Sequence, residues 1–388
     1  MQLANKRHLA YCTNIHRGDD WFQTMAGLES HTLDVKSLVS PDQPYAIGLR
    51  LSDSASRQLS VPATLKAFQK WLVENDCYVF TINGLPFGPF HGARIKDQVY
   101  FPDWTSPERL EYTKRLFDLL GQLVPVGIEG SVSTLPGSYK HLITSEDQKR
   151  QIRDHLWSCI DHIEQCSQRY SRTLHLGVEP EPGGLCGTTQ ETIQFFKEME
   201  SSRPGDTRLK TFLGVSYNTC HLAVEYEKPV DVVANLQSDG IRLSKIHLSS
   251  ALQIVPDQPT REWLGRFVEE RYLHQVVARS SNGNLHHYQD LDLALAQSTE
   301  EEEWRIRFQV PLYTTTMPHG RTTVDHLLGL LDLLADRRRL CLHLEIETYT
   351  WEILPPELKE SLVVDQMVRE YEWTLAQLKQ RRMLLGVC

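Results

Sequence analysis

Eight short, apolar, β-rich runs punctuate the sequence, and most of them are followed by a segment with helical periodicity. The runs are LAYCTNI (9–15), AIGLRLS (46–52), CYVFTIN (77–83), GSVSTLP (130–136), TLHLGVE (173–179), FLGVSY (212–217), LSKIHLS (243–249) and LCLHLEIE (340–347). Helical patterns lie near 18–29, 62–75, 107–123, 146–170, 189–201, 229–238, 322–336 and 362–381. Asp19 and Asp20, Thr188 and Thr189, and Thr322 and Thr323 are candidate N-caps. Strands alternating with helices build a parallel sheet, and eight such units close naturally on themselves. The expectation is an α/β protein, a (β/α)₈ TIM barrel built from residues 1–388 as one domain. One stretch, roughly 250–304, breaks the alternation. It reads as an elaborated loop after strand seven, over the barrel mouth, with its STEEEEW run as a solvated acidic face. RFQVPLY (307–313) reads as an extended piece leaving that loop.

Composition removes several classes of function. A formal net charge of −9 argues against a nucleic-acid binder with a basic surface. No stretch reaches the roughly 18 apolar residues of a membrane span, and the N-terminal MQLANKRHLAYCTN has no signal-peptide core. The eight cysteines include no Cys-x-x-Cys pair, and several sit in apolar runs, as buried thiols in a reducing compartment would. The chain is therefore expected in the cytoplasm, with a small-molecule metabolite as its partner. It has no Walker A sequence, no Gly-rich dinucleotide turn after a strand and no Ser nucleophile elbow.

In a barrel of this kind the reactive groups sit where strands end. Strand one closes on Thr13, Asn14, Ile15 and His16, and strand three on Asn83 and Gly84. Strand five closes on Glu179-Pro180-Glu181, and strand six on Asn218, Thr219, Cys220 and His221. Strand seven brings His247, and strand eight brings Glu345-Ile346-Glu347. Alternation puts Glu179 with Glu181, and Glu345 with Glu347, on a common side. Carboxylates facing a barrel axis need a cation or hydrogen-bond donors. Oxygen and imidazole ligands together suit Mn²⁺, Zn²⁺, Co²⁺ or Mg²⁺. A polar network that merely holds the mouth together is the other reading. His16 and Arg17, Asn83 and the 84–91 loop ending at His91 are candidate pocket walls, and Tyr349 and Trp351 are candidates to stack on a flat ligand.

LGVEPEPG, GVSYNTCH, KIHLSS, a VP-containing run and HLEIE together resemble the xylose-isomerase-like superfamily of sugar phosphate isomerases and epimerases. The resemblance implies a metal held from strands five to eight, at the positions of Glu179, Asn218, His247 and Glu345, with Glu181 and Glu347 as adjacent alternatives. It implies a proton-transferring pair, Glu179 and Glu345, and a substrate-contacting histidine at His221. Substrate contacts are expected from Arg307 and Gln309 in the VP segment. Two positions depart from that pattern: Asn218 stands where it has Asp, and Gln309 where it often has His or Arg. The first should weaken the hold on a hard divalent ion.

A narrower resemblance runs along almost the whole chain, through YCTNIHRGDDW, NGLPFGPFHGARIKDQVYFPDW, EPEPG, NTCHLAVEYE, RYLHQV and HLEIETYTWEILP. These strings are similar to EboE-type metabolite-traffic proteins of the bacterial ebo cluster. That similarity implies the handling of a secondary-metabolite precursor, with other ebo-cluster proteins as partners. Two functions follow from these readings. One is a metal-dependent isomerase or epimerase that transfers a proton between two glutamates beside a metal-polarised carbonyl. The other is a non-catalytic metabolite-binding or escort protein using the same pocket. Fold and motif leave enzyme and binder both open.

Overall fold

The computed structural model of the protein describes residues 1–91, 96–297 and 301–386. Eight parallel strands close into a barrel: β1 (His8–Cys12), β2 (Tyr45–Arg50), β3 (Cys77–Asn83), β4 (Gly130–Thr134), β5 (Leu174–Val178), β6 (Leu213–Asn218), β7 (Arg242–Leu248) and β8 (His343–Ile346). Each overlaps one of the apolar runs, and β8 seals the barrel between β7 and β1. The expected helices are present, and local chemistry starts several of them. Ser145 with Gln148, and Thr188 with Glu191, form reciprocal capping boxes at Glu146–Tyr170 and Thr189–Ser202. Asp20 caps Trp21–Gly27. Among the described residues no helix is long and apolar enough to cross a membrane, and seven cysteines are buried and free.

TIM barrels usually fill their interior with branched apolar side chains. This one carries polar residues through its axis. Near the N-terminal end of the strands, His343 Nδ1 lies 2.8 Å from Ser131 Oγ, and the His175 and His343 rings stand 5.2 Å apart. Higher in the barrel, Lys245 donates to Glu345 Oε2 at 2.6 Å, and both side chains are fully buried. A Cβ at residue 48 would collide with the Glu345 carboxylate, so Gly48 on β2 is what makes room for an inward-pointing glutamate.

The stretch after β7 is no irregular loop. It folds into a six-stranded antiparallel sheet that extends to Thr322, in the order 285–288, 276–279, 303–306, 252–254, 320–322 and 316–317. Leu252, Trp263, Phe267, Trp304 and Phe308 give it a core of its own. No strand in it exceeds four residues, too short for alternation to show in the sequence. Residues 298–300 of the acidic run lie outside the described residues. Of the rest, Glu302 is exposed, whereas Glu301 accepts from Tyr288 and Trp304, and Glu303 pairs with Arg279 and Arg305.

One carboxylate fastens the last helix, Val363–Gln380. Glu370, wholly buried, accepts from the Tyr11 hydroxyl on β1 (2.6 Å), from Leu312 N–H (3.0 Å) and from the Thr348 hydroxyl after β8 (2.8 Å). Burial pushes its carboxyl up from 4.5 to about 7, against the pull of these donors. A folded-state value above the unfolded one means that the native state holds the proton more tightly. The penalty for ionising Glu370 is therefore absent below about pH 4.5 and complete above about pH 7. Glu370→Gln, neutral at every pH, should match the parent near pH 4.5 and exceed its unfolding free energy by up to about 3 kcal/mol near pH 8. Urea unfolding across that range reads the difference. A difference that stays flat would mean Glu370 titrates like an exposed carboxylate.

Candidate metal centre

Strand register assembles the site. β6 and β7 place Asn218 beside His247, and β7 and β8 place His247 beside Glu345. Glu179 stands one residue beyond β5, and Glu347 one beyond β8. Glu179, His247 and Glu347 converge in the interior, each offering one ligand atom within 4.8 Å of the others. His247 Nδ1 lies 3.1 Å from Glu179 Oε2 and 3.5 Å from Glu347 Oε2. Its Nε2 lies 2.8 Å from Glu345 Oε2, the oxygen that also takes Lys245.

This arrangement can be tested for its fit to a cation. Glu345 accepts a proton-bearing nitrogen, so His247 carries hydrogen on Nε2, and Nδ1 of the neutral ring aims a lone pair at two carboxylates. A lone pair facing anions is repulsive, so the centre requires positive charge, either a proton on Nδ1 or an ion among the three groups. His247 Nδ1 and Glu179 Oε2 are both buried without a hydrogen-bond partner, although they face each other at 3.1 Å. A divalent ion shared by Glu179, His247 and Glu347 would satisfy both atoms. The residues therefore fit such an ion.

The electrostatics express the same demand. Burial opposes the charged form of His247, but Glu347 and Glu179 outweigh it and raise the imidazole to about 10. Burial also opposes the charge on Glu179, yet His247 holds that carboxyl down at about 2. Glu347 goes the other way: burial pushes it up, and the negative charges of Glu179 and Glu345 add to the push.

The remaining candidates take varied places. Glu345 lies beneath the imidazole, outside the three-residue cluster. Asn218 lies in the site but does not present its oxygen. Cys220 N–H (3.0 Å) and the Ser249 hydroxyl (2.6 Å) already donate to Oδ1, and a backbone N–H can only donate, so the oxygen faces away. Its Nδ2 instead bridges Glu179 Oε1 and Glu347 Oε2, each at 2.9 Å. Glu181 turns from the cluster toward Arg307, 2.8 Å away. Neither of its oxygens has an aligned hydrogen bond, and burial raises its carboxyl to about 7 despite the guanidinium. His221 has both nitrogens engaged, Nδ1 donating to Pro180 C=O (3.0 Å) and Nε2 accepting from Arg307 (2.9 Å). Burial and Arg307 depress it to about 3, so it is neutral and braces Arg307.

Asn83 donates to Glu347 Oε1 at 3.0 Å, Asn14 does the same, and Gln309 reaches Oε2 at 3.4 Å. His91 sits behind the cleft, joining Asn14 C=O (2.6 Å) to the Tyr272 hydroxyl (2.9 Å). His16 does not reach the cleft. Its ring stacks on His31, 4.6 Å away. The sequence reading missed Lys245 and Tyr272. Lys245 had a signal, a lysine inside an apolar run two residues before His247 and thus on the same side. The cleft above the cluster is walled by Leu85, Phe90, Tyr272, Arg307 and Tyr349, with a free volume of about 30 Å³, room for a water rather than a sugar. Phe90, Tyr272 and Tyr349 stand 5.1–5.2 Å apart and roof it.

No protein-family model and no curated protein matches the chain. Solved structures match it in fold. A xylose isomerase-like TIM barrel protein from Mycobacterium smegmatis in complex with magnesium aligns with TM-score 0.56 and 13% identity over 98% of this chain and 100% of that one. An L-ribulose 3-epimerase aligns at 0.51 and 11%, over 98% and 96%. A D-tagatose 3-epimerase-like protein aligns at 0.51 and 12%, over 96% and 97%. At such identities the likeness is one of fold: this chain is a (β/α)₈ barrel, as these neighbours are.

Two variants separate the roles of the groups. Asn218→Asp sets a third carboxylate against Glu179 and Glu347. In EDTA it should melt below the parent, and calorimetry should show Mn²⁺ bound about tenfold tighter or more, the scale of one charge-assisted contact. Equal affinity would mean that no ion sits between these groups. Glu345→Gln strands a buried Lys245 and should cost about 3–5 kcal/mol in urea unfolding, with most of the loss recovered in Lys245→Met/Glu345→Gln. A neutral outcome for Glu345→Gln would show that the pair contributes nothing to the barrel.

Proposed function

We propose that the protein is a divalent-metal-dependent isomerase or epimerase of a small polyhydroxylated carbonyl compound, working by proton transfer between Glu179 and Glu347. One observation carries this reading. Two carboxylates and an unpartnered imidazole nitrogen meet at a buried point at the C-terminal mouth of the barrel, where enzymes of this architecture react. The epimerase and the magnesium-bound barrel among its structural neighbours support it.

A divalent ion held by Glu179, His247 and Glu347 would polarise a substrate carbonyl and acidify the adjacent C–H. The other steps belong to the chain. Glu179 and Glu347 approach from β5 and β8, so one can take the proton and the other return it. Asn218, hydrogen-bonded to both, fixes their spacing. Arg307, braced by Glu181 and His221, offers a donor to a substrate oxygen. The roof of Phe90, Tyr272 and Tyr349 keeps water from the reacting carbon. Glu345 stays out of the transfer: it lies beneath the site, where, against the effect of burial, Lys245 and His247 hold its carboxyl below the ordinary range.

A finer reading, with a secondary-metabolite precursor as substrate and ebo-cluster proteins as partners, rests on the EboE-like strings. A non-catalytic escort is the second reading. It is favoured by the amides of Asn14, Asn83, Asn218 and Gln309, which satisfy Glu347 without an ion. Deuterium incorporation from D₂O into candidate ketoses and pathway precursors, on Mn²⁺-loaded protein, distinguishes the two. The enzyme reading expects exchange that falls about 10²–10⁴-fold in Glu347→Gln, with metal content measured alongside. Tight binding of a ligand with no exchange by the parent protein would overturn it in favour of the escort.

A further inference from the structure

On the outer layer of the barrel, helices Pro107–Leu123 and Glu146–Tyr170 pack side by side. His162 and Cys166 are four residues apart on the second helix, so their side chains share a face, and Asp118 meets them from the first. Asp118 Oδ1, His162 Nε2 and Cys166 Sγ form a triangle whose three edges are each 3.3 Å. Cys166 is buried, while the His162 and Asp118 side chains are 20% and 40% exposed, so the triangle has one open side.

Hydrogen bonds cannot account for all three edges. The thiol has one proton, Nε2 has at most one, and the carboxylate has none. If both protons point at Asp118, the sulfur–nitrogen edge holds no hydrogen. If the thiol donates to Nε2, both edges to Asp118 are left bare. A cation at the centre satisfies every edge. Tetrahedral coordination, with bonds of about 2.0 Å to nitrogen and oxygen and about 2.3 Å to sulfur, spaces nitrogen and oxygen about 3.3 Å apart and sulfur about 3.5 Å from each; the nitrogen–oxygen edge here has that length, and the two sulfur edges come within about 0.2 Å of it.

We propose that Asp118, His162 and Cys166 form a Zn²⁺ site that staples these two helices, with its fourth position facing water. Thiolate, imidazole and carboxylate together select zinc or its mimic cobalt, whereas Mg²⁺ and Ca²⁺ do not take sulfur. Arg169 Nη1 lies 3.7 Å from Asp118 Oδ1, and its side chain is 59% exposed, free to swing into solvent as the ion enters.

Cobalt reads this site separately from the barrel mouth, whose cluster offers only oxygen and nitrogen. Titration of Co²⁺ into chelator-treated full-length protein should produce a near-ultraviolet thiolate-to-cobalt band and intense tetrahedral visible bands, both bleached by Zn²⁺. Cys12 and Cys220 lie near the mouth, so the band should persist in Cys12→Ser/Cys220→Ser. It should vanish in Cys166→Ser, and in His162→Gln it should need at least tenfold more Co²⁺. Circular dichroism confirms that each variant is folded, and His162→Gln decides the matter if Cys166→Ser is not. A parent protein without the band, or a band that survives in Cys166→Ser, overturns the proposal.

Discussion

The whole mouth of this barrel hangs on the contact between Lys245 and Glu345. Both charges are removed from water, at a cost of several kcal/mol each, and that cost is offset only by a short contact in a low-dielectric interior. The pair also sets the orientation of a third group. Glu345 Oε2 takes His247 Nε2 as well as Lys245, so the imidazole cannot rotate without leaving a buried carboxylate short of a partner. With Nε2 tied down, Nδ1 can point only at Glu179 and Glu347. Gly48 belongs to the same device, since any side chain on β2 at that height would evict Glu345.

The sheet that follows β7 completes the site from above. It leaves the barrel directly after the strand that carries His247 and returns Tyr272, Gln275, Arg307 and Gln309 over the opening. It packs around an apolar core of its own. It is tied to the opposite rim by polar contacts: Tyr272 reaches His91, His91 reaches the backbone of Asn14, Lys96 pairs with Asp290, and Arg271 pairs with Glu352. The cleft it covers has about 30 Å³ free, room for a water rather than a sugar.

The barrel was legible in the sequence because buried parallel strands read as contiguous apolar runs. The site chemistry was legible because carboxylates, imidazole and amides interrupted those runs at their ends. The choice within each glutamate pair was not. Alternation puts Glu345 and Glu347 on the same side, but only the strand's end point shows that Glu345 is still inside the barrel and Glu347 is above it. At strand five the order is reversed, with Glu179 in the cluster and Glu181 drawn away by an arginine from the distant cap. The cap's place after strand seven was legible as a break in the alternation, but its sheet was hidden, since strands of two to four residues leave no period to detect. His16 misled because a polar residue just past a strand end is as free to pack outward, here on His31, as inward.

Charge balance explains why Asn218 stands where the isomerase pattern has Asp. Three carboxylates, Glu179, Glu345 and Glu347, surround one imidazole, and Lys245 offsets one of them. Two negative charges remain. A divalent ion cancels both with the imidazole neutral, whereas a proton on Nδ1 cancels only one and leaves Glu347 to be pushed toward protonation. An aspartate at 218 would add a charge that a single ion could not cancel. The amide instead donates to Glu179 and Glu347 and holds them together. Asn218 is thus the counterpart of Lys245: with a buried ammonium below and an amide beside it, the site needs two positive charges and can keep its shape before they arrive.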